Sequence, residues 1–114
     1  MNAKTRVAVE RRARKMVREL FRKLPANLPV RLAIGDCSGN LALCDIEAKN
    51  GRRWFQITLS EEVAVLPWHQ IRQWVVHEYA HALAWTKGHP NLQDHGPLWG
   101  VAYALVYTQA MKGT

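Results

Sequence analysis

Cysteine is scarce in this chain: Cys37 and Cys44 are the only two among 114 residues. That excludes a disulfide framework, and their C-x6-C spacing fits neither a zinc finger nor a zinc ribbon. Two buried free thiols in a reducing compartment are the expectation. Long apolar runs are missing too. None approaches the ~18 residues that a membrane span needs. No continuous apolar segment follows the basic start, as it would in a secretory signal. A membrane protein and a disulfide-stapled secreted protein are set aside, and a cytoplasmic protein is expected. Internal repeats and low-complexity tracts are also lacking. The length suits one domain, 1–114, large enough to bury a core without staples.

Acidic residues are few where basic ones are many. Residues 1–23 hold Lys4, Arg6, Arg11, Arg12, Arg14, Lys15, Arg18, Arg22 and Lys23 against Glu10 and Glu19. The formal net charge of +7 sits entirely there, since residues 24–114 balance seven basic against seven acidic side chains. A neutral body with one cationic arm is the pattern.

Within that arm Val9, Ala13, Met16, Val17, Leu20 and Leu24 recur at steps of three and four. They predict an amphipathic helix over 1–23, ended by Pro25. Three β-like runs follow across 30–60: "VRLAIGD", "LALCDIEA" and "RWFQITLS". Leu41, Leu43 and Asp45 are read as one face of the second run. In the third, Phe55, Ile57 and Leu59 share a face, with Trp54, Gln56 and Thr58 opposite. "SGN" at 38–40 and "NG" at 50–51 read as turns, the latter a strong hairpin signal. The expectation is an antiparallel three-stranded sheet. A second helix is read over 67–87, stopped by Gly88 and Pro90, and a third over 95–111. Gly100 inside the third suggests close packing there. The fold class is α+β, in the order α-βββ-α-α.

The second helix holds "HEYAH". His77 and His81, four apart, stack on one face, and two imidazoles so placed can ligate one Zn²⁺. Glu78 lies one position round, placed as a general base. Apolar residues frame the three, and burying them without a metal would leave polar atoms and a charge uncompensated. A catalytic zinc takes a third protein ligand and keeps an open vertex. No glutamate follows His81, which removes a downstream Glu ligand. Ala84 and Lys87 stand where the H-E-x-x-H-x-x-G-x-x-H pattern needs Gly and His. His89, Asp94, His95 or an upstream cysteine remain. His95 fits best: Gly96 and Pro97 after it suit a helix start, which would hold a ligand firmly. Asp94 would cap that helix or support an imidazole. His89, before Pro90 in the loop, is expected to be exposed.

"VVHEYAHALAW" followed by "DHGPLW" resembles the SprT-like zinc metalloprotease domain, the family that includes Spartan. "WFQITLS" before the motif helix, and the basic helix before the sheet, are similar as well. The resemblance covers most of residues 5–110 and is most specific over 74–99. It implies a zincin-like minimal metalloprotease with one Zn²⁺ per chain on His77, His81 and His95, and Glu78 as the base. Trp99 stands where many members have Phe. Many members continue into a C-terminal zinc ribbon or DNA-binding tail; with no such cysteines before Thr114, any DNA recruitment is expected to come from elsewhere. Peptide deformylases, which pair the motif with an upstream cysteine such as Cys37, lack support from the surrounding residues.

The chemistry expected is peptide hydrolysis on a protein or peptide substrate, with Tyr103 or Tyr107 as an oxyanion donor. The hairpin ending in "RWFQITLS" would wall the cleft, with Trp54 as a cleft residue. Arg11, Arg12, Arg14, Lys15 and Arg18 are candidate contacts to DNA. Two other classes stay open: a non-enzymatic, basic nucleic-acid-binding protein, and a zinc hydrolase with a non-protein substrate.

Overall fold

Asn2 starts the first helix: its side-chain oxygen accepts the Thr5 N–H at 2.8 Å, satisfying one of the donors a helix start leaves free. In this computed structural model, which describes residues 2–112, α1 runs Ala3–Lys23. It buries Ala13, Val17 and Leu20, and Arg22 and Lys23 in its last turn complement the helix dipole. Three strands follow: β1 (Val30–Ile34), β2 (Ala42–Lys49) and β3 (Arg52–Leu59). A four-residue helix α2 (Glu61–Ala64) precedes α3 (Trp68–Thr86) and α4 (Pro97–Met111). The segment 61–66, expected as a plain connection, therefore holds a helical turn. Ser60 caps it by accepting the Val63 N–H at 3.2 Å. None of the helices is long and apolar enough to cross a membrane among the described residues.

The sheet departs from expectation. It is mixed, with β3 in the centre: β2 pairs with β3 antiparallel, but β1 pairs with β3 in parallel, Val30 opposite Phe55 and Ile34 opposite Leu59. "NG" does make the β2–β3 hairpin, with Asn50 and Gly51 both at positive φ (53° and 76°). "SGN" does not make a second one. Residues 35–41 instead wrap the end of β3: Gly35 N–H donates to the Leu59 carbonyl, the Cys37 thiol to Thr58 O, and Ser60 N–H to Leu41 O. Alternation in sequence tells which face a residue takes, not which neighbour its strand takes.

The helices cover one sheet face, α1 over β1 and α3 over β2 and β3. Phe55, Ile57 and Leu59 point into this core, as expected, against Val75, Val76 and Tyr79 of α3, all with 0% exposure. Fully burying an aliphatic or Phe side chain is worth roughly 1.5–3 kcal/mol. The face of β2 is offset by one from expectation. Cys44, opposite Ile57, is fully buried with Ala42 and Ile46 packed beside it, while Leu41 is 45% exposed. The Tyr79 hydroxyl donates to the Leu24 carbonyl at 2.6 Å, tying α3 to the end of α1. Gly100, expected at a close approach, faces open space.

Both outer strands leave an edge, and the two are treated differently. The outward carbonyls of Leu32 and Ile34 on β1 are taken by Arg14 Nε (2.9 Å) and an Arg6 guanidinium nitrogen (2.6 Å). Arg6 also pairs with Glu61, and Arg14 with Glu10. Thus α1 seals the β1 edge. On β2, the residues opposite Phe55, Ile57 and Leu59 (Ile46, Cys44 and Ala42) turn their backbone groups away from β3.

Candidate metal centre

The α3 stretch Val75–Ala84 is almost wholly buried, yet it carries Glu78 and His81, each 3% exposed. Its helical spacing stacks His77 and His81 with ring centroids 5.3 Å apart. Gly88, at φ +99°, ends the helix run and turns the chain back. The loop then delivers His95 just before α4, whose N-cap is Gly96 and whose first residue is Pro97. The His95 ring lies 5.0 Å from that of His77 and 4.7 Å from that of His81. One ligand nitrogen from each of the three lies within 4.8 Å of the others, forming a group able to hold a metal ion.

The donor chemistry fits such an ion. His77 Nε2 and His95 Nε2 are 3.1 Å apart. Tetrahedral ligation at 2.0–2.1 Å would separate two nitrogens by roughly 3.3 Å, so the rings are close to a ligating arrangement. Burial lowers the pKa of His77, with His95 adding to the effect. Burial lowers that of His81 to about 4, helped by His77 and His95. Both imidazoles are therefore neutral near pH 7, the form that ligates metal. His81 Nδ1 is buried without a hydrogen-bond partner among the described residues, and the nearby Leu92 backbone opposes the lowering of its pKa.

Glu78 sits beside this group, its Oε2 3.9 Å from His77 Nε2. Burial first, and Asp45 second, push its pKa up to about 7. A carboxyl so poised can take and return a proton near neutral pH. Trp99 packs on all three histidines, with centroids 5.0, 5.6 and 4.7 Å from His77, His81 and His95. Trp74 flanks His77 from the other side at 5.7 Å.

Other sequence candidates fall elsewhere. His89 is buried, not exposed: the loop folds over it, its Nδ1 accepts the Asn91 N–H, and its Nε2 is 3.6 Å from Asp94 Oδ2. It lies outside the three-histidine group, and Asp94 attends it rather than capping α4. Cys37 and Cys44 are free and buried, and neither joins the histidines. Burial raises both thiols, with Asp36 next for Cys37 and Glu78 next for Cys44, so neither is a ready thiolate. Tyr103 stacks on Trp99 at 5.0 Å, and Tyr107 on Tyr103; the indole, not a phenol, meets the histidines.

Trp54 lies on the outer sheet face under Arg31, on the central strand. Of the hairpin's two strands, the outer one, β2, brings a charged side chain to bear on the group, through Asp45 on Glu78. On α1, Arg14 is committed to Leu32 O and Arg12 stacks on Trp68 at 4.2 Å. Arg11, Lys15 and Arg18 are exposed. Sequence reading missed Gln93, whose carboxamide donates to the Cys44 carbonyl at 2.6 Å. A lone loop glutamine carries no signal that would have found it.

Comparison with known families gives one finding: the family model described as SprT-like family matches residues 9–112. Neither the curated proteins nor the solved structures yield a match.

Burial of Glu78 has a measurable consequence in metal-free protein. Its folded pKa stands above the ordinary 4.5, so its contribution to stability is full below about 4.5 and is lost as pH rises through about 7. His81 runs the other way, losing stability as pH falls from 6.5 through about 4. Glu78→Gln removes only the first effect. With a chelator present at pH 8, urea denaturation should find Glu78→Gln more stable than wild type, by on the order of 3 kcal/mol at most. The gap should close by pH 5. A gap that ignores pH would show that Glu78 is not held in a desolvated site.

Proposed function

Since the chain belongs to the SprT-like family, we propose that it is a zinc-dependent endopeptidase, with one Zn²⁺ on His77, His81 and His95 and Glu78 as general base. The observation that carries this reading is the convergence of three imidazoles, two of them held neutral by burial, beside a buried carboxyl. Imidazole donors in a three-histidine set suit zinc. A zinc ion there would polarise the substrate carbonyl and acidify the attacking water. Glu78 accepts a proton from that water and passes it to the leaving amine nitrogen. Trp99 packs against all three histidine rings and Trp74 against that of His77, which fixes their orientation. The outward backbone groups of β2 other than the Cys44 carbonyl, which Gln93 takes, offer an extended peptide a strand to pair with. Developing charge on the substrate oxygen would be met by the zinc, with Tyr103 supporting the Trp99 indole from behind. Two unpaired buried thiols suit a reducing, cytoplasmic setting.

DNA is the proposed site of action, through α1. What supports this is the exposed set Arg11, Lys15 and Arg18, and a groove of about 240 Å³ between α1 and β1 that brings Arg14, Arg18 and Arg31 together. Arginines along a groove neutralise phosphates without reading sequence. Because Arg14 also seals β1 and Arg12 stacks on Trp68, the DNA contacts rest chiefly on the other three.

Metal analysis with casein as substrate tests the enzyme reading. Wild type should hold about one zinc per chain. His95→Ala should lose most of it, and Glu78→Gln should keep it while cleavage falls at least ~100-fold. Zinc retained in wild type without any proteolysis would favour a hydrolase of another substrate class. Full cleavage by Glu78→Gln would remove Glu78 from the chemistry. For DNA, binding to a short duplex should weaken steeply with salt. Changing Arg11, Lys15 and Arg18 to Gln should lower the salt slope by up to about three. An unchanged slope would put DNA elsewhere or nowhere.

A further inference from the structure

Two of the three ligands are placed by helix geometry alone, because one turn of α3 separates His77 from His81. The third is not. His95 is exposed and comes from the loop joining α3 to α4. Most of the loop's hydrogen bonds are internal or return to the end of α3. His89 N–H donates to the Ala84 carbonyl, Asn91 N–H to His89 Nδ1, Gln93 N–H to Asn91 Oδ1, and Asp94 N–H to Asn91 O. These bonds shape the loop and fasten it to the end of α3, and Leu92 packs it against the core. Among the described residues, one side-chain hydrogen-bonding group ties it to the sheet. Gln93 Nε2 donates to the Cys44 carbonyl at 2.6 Å and to Asp45 Oδ1 at 3.4 Å.

The chemistry of that tie is specific. The Cys44 carbonyl points outward from the β2 edge, and Cys44 itself is fully buried against Ile57 of β3. It is thus a rigid anchor. A carboxamide nitrogen carries two hydrogens, and both acceptors here are oxygens, one of them a carboxylate. A neutral or cationic donor satisfies the pair; an acceptor-only side chain would repel both.

We propose that Gln93 is a positioning residue: it ties the His95 loop to strand β2 and so holds the third imidazole in register with His77 and His81. The inference rests on the metal-site reading above. Its effect reaches the metal through His95, and Gln93 touches no reacting atom.

The test is zinc affinity of the full chain, measured by competition with a chromogenic chelator, for Gln93→Ala, Gln93→Glu and Gln93→Lys. Positioning predicts weaker binding in Gln93→Ala and Gln93→Glu, by about five- to tenfold, the size of one lost hydrogen bond. Gln93→Lys, which keeps a donor for both oxygens, should stay within about twofold of wild type. Simple electrostatics predicts the reverse order, since an added carboxylate attracts a cation and an added ammonium repels it. Amide hydrogen exchange over residues 88–96 should also quicken in metal-free Gln93→Ala and be restored in Gln93→Lys. Affinities equal to wild type in all three variants, or tighter binding by Gln93→Glu, would overturn the inference while leaving the three-histidine site standing. A wild-type chain that takes up no zinc would remove that site and this inference together.

Discussion

A buried helix that carries a carboxyl and two imidazoles has to compensate them, and the rest of the molecule is arranged around that need. Val75, Val76, Ala80 and Ala82 leave α3 no polar surroundings of its own, and Glu78 and His81 are nearly as buried as they are. Unpaired, such groups are costly. Burial holds both imidazoles neutral and Glu78 near its midpoint at neutral pH, so the group is rich in lone pairs and poor in fixed charge. A third imidazole brought within ligand distance adds another lone pair to the same point. A divalent cation would resolve all of these conflicts at once, which makes the site and the core one problem.

The two sheet edges divide the remaining labour. Arginines of α1 close the β1 edge, so the cationic helix is partly a structural element and only partly a free surface. That division limits the DNA reading to side chains that nothing else occupies. The β2 edge keeps its outward groups apart from the Cys44 carbonyl, which the loop carrying His95 takes through Gln93. Strand β2 and that loop are therefore joined, and both belong to residues 24–114, which are neutral overall.

Legibility in the sequence followed locality. The motif helix was readable because four-residue spacing on a helix fixes which side chains meet, whatever the helix packs against. His95 was readable from Gly96 and Pro97 behind it and by elimination of other ligands. Phe55, Ile57 and Leu59 were readable from alternation. What failed depended on partners far along the chain. The parallel pairing of β1 needed knowledge that residues 35–41 wrap β3 rather than turn a hairpin. The core face of β2 was set by pairing Cys44 with Ile57, and the apolar character of Leu41 and Leu43 pointed the other way. His89 looked like a surface residue because it precedes a proline, yet the folded loop encloses it. Gly100 suggested a close approach that no neighbour makes.

X-ray absorption at the zinc edge of the purified protein tests the central claim most directly. The account predicts three imidazole nitrogens and one further light atom at about 2.0–2.1 Å, with no sulfur. A sulfur shell near 2.3 Å, or a fit that accepts only two imidazoles, would contradict it.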